Sequence, residues 1–78
     1  MAQAYKRTLA AEFGMVIRRY RHRLGLSQEE FAERAEIHRT YVSSIELGKV
    51  DMGINVAGRL AKALGKPLSH LVREAEQA

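Results

Sequence analysis

Arg39, Thr40, Ser43 and Ser44 fall within "RTYVSS" (39–44), a run rich in hydrogen-bonding groups and poor in bulk. On a helical wheel Val42 and Ile45 turn to one side. Thr40, Ser43, Ser44 and Leu47 take the opposite side, with Arg39 on the flank. Short hydroxyls donate and accept, and a guanidinium presents a planar fork of donors. A solvated helix face usually carries long charged residues, whereas a short polar one suits close approach to a surface that offers donors and acceptors. Other chemistry is poorly supplied. Neither serine has a histidine at motif spacing or sits in a nucleophile elbow, which argues against covalent catalysis. His22, His38 and His70 are far apart, without cysteine or carboxylate partners at ligand spacing, which argues against a metal site. With no phosphate-binding loop either, an enzyme is the poorest fit and no cofactor is expected.

The elements that must hold this run are legible from apolar spacing. Phe31, Ala32 and Ala35 share one helical face, Ile37 is out of phase with them, and Val42 and Ile45 resume the spacing. For both sets to reach one core the chain must turn sharply at Glu36–Ile37, between short helices over about 28–35 and 39–47. A corner of this kind is a helix-turn-helix, with Ile37 as its plug and Ala32 small where the helices approach. Before it, Leu9, Phe13, Val16, Ile17, Tyr20 and Leu24 form an amphipathic stripe that Gly25 ends. Ser27 and Glu30 then make a capping box. After it, residues 49–53 read as a loop, and Ile54, Ala57, Leu60, Ala61 and Leu64 form a fourth stripe closed by Gly65. Pro67 suits the first turn of a last helix, with Leu68, Leu71, Val72 and Ala75 as its apolar side. The expectation is an all-α, five-helix single domain over 9–76, preceded by a frayed extension over 1–8.

Composition narrows the setting. The chain has 78 residues, 13 basic and 9 acidic, for a net charge of +4 that permits a nucleic-acid partner without requiring one. Its distribution says more: "RRYRHR" (18–23) is basic and "EEFAERAE" (29–36) acidic, so two faces of opposite sign are expected. The absence of cysteine excludes disulfides and thiolate metal sites. No apolar run approaches membrane-spanning length and no signal peptide is legible, so a cytoplasmic protein is expected.

At this point the sequence resembles a known family. "GLSQEEFAERAEIHRTYVSSIELGK", continued by "GINVAGRLAKALGKPLSHLV", is similar to the DNA-binding domain of Cro/C1-type (xenobiotic-response-element) helix-turn-helix regulators of bacteria. The likeness covers roughly residues 13–72 and rests on the S-Q-E-E opening, the small Ala32, the apolar spacing about the turn, "SSIELGK" and "AKALG". It implies a lambda-repressor-like fold whose third helix enters the major groove of duplex DNA. His38, Arg39 and Thr40 would then lie over base edges, with Arg39 suited to guanine O6 and N7. Ser43 and Ser44 would make shorter-range base or phosphate bonds, Gln28 would anchor a phosphate at the start of the second helix, and Lys49 would meet the DNA backbone. The resemblance further implies an Arg21–Glu46 ion pair joining the first and third helices. The apolar side of the last helix is expected both to close the domain's own core and to meet a second copy; the resemblance implies a homodimer through this end, with Met52, Ile54, Leu68, Leu71 and Val72 as its interface, on a roughly palindromic operator. Glu29 and Glu33 match positions at which related activators touch RNA polymerase, although helix capping and dipole placement also account for acidic residues there.

Three positions depart from the family pattern. Glu36 stands where the turn usually has glycine, Leu47 where a basic residue is frequent, and Gly53 where a hydroxyl cap is frequent. "HRTYVSSIELGK" leans toward the controller proteins of restriction–modification systems. The alternative from another class is an antitoxin or protein-interaction module, working through the acidic second helix or the last helix, with DNA binding secondary.

Overall fold

Thr8, the last residue of the expected extension, starts the first helix: its Oγ1 accepts a hydrogen bond from the Ala11 N–H at 3.1 Å. The computed structural model describes residues 8–78, so the rest of that extension lies outside the described residues. Five helices follow: α1 (Leu9–Arg23), α2 (Gln28–Ala35), α3 (Arg39–Glu46), α4 (Ile54–Leu64) and α5 (Leu68–Glu76). α1 packs against α3, α4 and α5, while α2 lies on α3 and α4. Phe31, Ile17, Ile45, Leu60, Leu71, Val16 and Val42 are the largest fully buried side chains, and all five helices contribute to this core.

α2 starts with the expected capping box: Ser27 Oγ accepts from the Glu30 N–H at 3.0 Å, and Glu30 Oε1 accepts from the Ser27 N–H at 2.9 Å. It ends at Glu36, which sits in the left-handed region at φ 60, ψ 43. There the Glu36 N–H bonds to the Glu33 carbonyl at 3.2 Å and the Ile37 N–H to the Ala32 carbonyl at 3.0 Å, closing the helix and turning the chain. The other left-handed helix ends use glycine; a side chain in this conformation costs about 1–2 kcal/mol. Burial of Phe31, Val42 and Ile45, each completely removed from solvent, far outweighs that, at about 1.5–3 kcal/mol for each large apolar side chain. Ile37 packs partly buried against the core.

The apolar stripes overrun the core at their ends. Leu9, Leu24 and Ile54 are 51, 50 and 72% exposed, because each lies at or just beyond a helix end, past the reach of the neighbouring helices. Pro67 lies one step earlier than expected: it is the cap residue of α5 rather than part of its first turn.

Candidate nucleic-acid interface

The turn at Glu36 presents the start of α3 to solvent. His38 caps that helix without a side-chain hydrogen bond. His38, Arg39 and Thr40 are exposed, Ser43 and Ser44 half-buried, and Val42 and Ile45 wholly buried. Arg39 has no ion-pair partner among the described residues, so its guanidinium is available to a ligand. Leu47, also exposed, follows α3, and exposed Lys49 stands in the loop beyond. The start of α2 meets the start of α3 here. Ser27, Gln28, Glu29 and Arg39 line one shallow cleft, and Arg39 also borders a second one with Glu29, Glu33 and His38. A guanidinium, an amide, a hydroxyl and the Glu29 carboxylate therefore share one concave strip at the starts of α2 and α3.

Behind this strip lies a buried polar network. Arg21 Nε and Nη2 donate to Glu46 Oε2 and Oε1 at 2.7 and 2.9 Å, a two-pronged pair between α1 and α3. Arg21 and Glu46 are only 7 and 5% exposed. Arg21 Nη1 also donates to the Leu26 carbonyl at 2.8 Å, tying in the link to α2. Gln28 Nε2 donates to Glu46 Oε1 at 3.1 Å. Nothing in the sequence pattern marks that last contact, because Gln28 and Glu46 belong to different helices.

Glu29 and Glu33 are exposed on α2. Glu30 is committed to capping, and the Ser27 backbone N–H, with the Ser27 hydroxyl, holds its carboxyl below the ordinary carboxylate value.

Of the residues expected at a dimer interface, Met52, Ile54, Leu68 and Val72 converge on one apolar groove, where they meet Leu9 and Phe13 of α1. Leu71 does not. It is wholly buried in the chain's own core and leaves no surface for a second copy. One helical stripe cannot face two ways, and α5 spends Leu71 and Ala75 on α1 and α4, which leaves Leu68 and Val72 at the groove.

Two further features escaped the sequence reading. Gly14 on α1 lies against α3 so tightly that a Cβ there would be 1.9 Å from the Ile45 carbonyl oxygen. On the other side of α1 the Tyr20 hydroxyl donates to Glu74 of α5, with His70 Nε2 2.9 Å from Glu74 and Arg19 Nη2 3.4 Å away. The His70 to Glu74 spacing of one helical turn is a signal for half of this cluster. No group of acidic and histidine residues among those described could hold a metal ion, and no described helix is long and apolar enough to cross a membrane.

A family model described as helix-turn-helix matches residues 17–71, from the middle of α1 into α5. The chain belongs to the Cro/C1-type helix-turn-helix family. This helix-turn-helix protein is 41% identical over 51 residues to an uncharacterized HTH-type transcriptional regulator of Methanothermobacter thermautotrophicus, a match covering 65% of this chain and 74% of that one. It is 36% identical over 66 residues to the control protein C.MunI of a Mycoplasma species, covering 83 and 89%. It also resembles the restriction–modification controller protein C.Esp1396I, solved as a tetramer with its natural 35-base-pair operator, at a TM-score of 0.78 and 25% identity over 91% of this chain and 99% of that one. The family is one of DNA-binding transcriptional regulators, and controller proteins are among its members.

Proposed function

We propose that this helix-turn-helix regulator binds duplex DNA as a homodimer, with α3 in the major groove of each half of a roughly palindromic operator. The observation that carries this reading is the turn at Glu36, which leaves Arg39 and Thr40 exposed while Val42 and Ile45 of the same helix are buried in the core. Arg39 is the base reader, a guanidinium matched to guanine O6 and N7, and Thr40 supplies a hydroxyl and a methyl beside it. His38 stands at the helix entry, and Ser43 and Ser44 make closer bonds. Gln28 and Lys49 hold phosphates at either side. The apolar groove of Met52, Ile54, Leu68 and Val72 pairs two copies, setting the recognition helices one helical turn of DNA apart, about 34 Å. Exposed Glu29 and Glu33 face away from the core and offer an acidic contact to RNA polymerase when the protein is bound upstream of a promoter. The likeness to controller proteins supports a role in timing restriction–modification gene expression.

Operator selection from a random duplex pool tests this. Wild-type protein should recover an inverted repeat, with affinity falling steeply as salt rises because phosphate contacts release counterions. Arg39→Ala should lose about 1–3 kcal/mol at a single base position, whereas Lys49→Ala should weaken binding evenly and reduce the salt slope by about one. No enriched sequence and a shallow salt slope would instead favour a protein-interaction module.

A further inference from the structure

Glu46 is the last residue of α3, and its carboxylate reaches the first residue of α2. One oxygen, Oε1, accepts from both Arg21 Nη2 at 2.9 Å and Gln28 Nε2 at 3.1 Å. The other accepts from Arg21 Nε at 2.7 Å. An ionised carboxylate only accepts, so it admits the nitrogen end of the Gln28 amide and excludes the oxygen end. That settles which way the amide is turned before any ligand arrives. One amide N–H is used by Glu46, and the other remains for a phosphate oxygen. Arg21 does two further things. Its bidentate grip cancels the Glu46 charge, which would otherwise repel a phosphate near Gln28. Its Nη1 also donates to the Leu26 carbonyl, at 2.8 Å, and so holds the link that leads into α2.

We infer that Glu46 is a positioning residue for DNA binding: it presents the Gln28 amide to a phosphate and locks that anchor in register with the reading helix. The inference rests on the DNA-binding reading and deepens it. α2 contributes the anchor and α3 the reader, and the Glu46–Gln28 bond joins the two directly, independently of the turn at Glu36. A side chain held in place before binding loses less freedom on binding, so its contact is retained more fully as affinity.

The test uses full-length protein and the operator recovered by selection. Gln28→Ala should weaken binding roughly ten- to a hundredfold, the usual worth of a hydrogen bond to a charged group. Glu46→Gln should weaken it by a similar factor even though it makes the protein more positive, and the double variant should bind no worse than either single one. Losses that multiply, or a Glu46→Gln protein that binds at least as tightly as wild type, would overturn the coupling. Should Glu46→Gln fail to fold, nitrogen-15 relaxation of the Gln28 side-chain amide in the free wild-type protein decides. A rigid amide supports the inference, and one that moves freely on the nanosecond scale rules it out. A wild-type protein that recovers no operator removes the DNA-binding reading itself. One that binds while the two losses multiply removes only the role given to Glu46.

Discussion

Gly14 and Gly58 are both helical glycines, and the structure assigns them opposite sensitivities. A Cβ on Gly58 would meet nothing within 4 Å, whereas one on Gly14 would meet the Ile45 carbonyl oxygen at 1.9 Å and its carbon at 2.9 Å. Those are backbone atoms, so no rotamer change relieves the clash and α1 must move off α3. Alanine in a helix is favoured over glycine by roughly 0.5–1 kcal/mol when nothing else changes. Gly58→Ala should therefore raise stability by about that amount. Gly14→Ala should lower it by about 1–3 kcal/mol or more, the usual penalty for overpacking. Urea denaturation of the two variants checks both signs, and equal effects would show that α1 and α3 tolerate separation.

Between elements, α5 is fastened to α1 by the Tyr20–Glu74 bond and the charges beside it. The Tyr20 hydroxyl is the main reason that the Glu74 carboxyl lies below its ordinary value of 4.5; burial opposes it, and Arg19 and His70 assist. Because the folded value is depressed, the unfolded chain takes up the proton first as pH falls. The stabilisation is complete above about 4.5 and drains away as pH drops through the lower folded value. Glu30, held down by the Ser27 backbone N–H, acts in the same direction and the same window. Thermal melts should thus show wild type losing stability below pH of about 4.5, and Glu74→Gln should flatten that decline. The same bond raises the Tyr20 hydroxyl above 10.0, so its contribution is lost only as pH rises through that higher value.

For the whole molecule the surface to test is the apolar groove between α1, the loop before α4, and α5, proposed above to pair two copies. Ile54 at its edge is 72% exposed, so Ile54→Lys alters the groove without touching the core. Light scattering should find a wild-type dimer and a folded Ile54→Lys monomer. The variant should bind operator far more weakly, because a dimer engages both half-sites through one association. A variant that stays dimeric would place the interface elsewhere. The apolar stripe on α5 is divided: Leu71 closes the core, while Leu68 and Val72 line the groove.

The sequence by itself determined the five helices, the turn at Glu36–Ile37 and the outward face of α3. Each of these depends on local periodicity and on caps such as Ser27 with Glu30. It also carried, through likeness to a known family, the Arg21–Glu46 pair. Only the tertiary structure decided that Leu71 faces inward, that Gly14 permits α1 to touch α3, and that Glu46 reaches Gln28. Those three depend on the distance and rotation between helices far apart in the chain. Periodicity says which face of a helix is apolar, but not what lies opposite it.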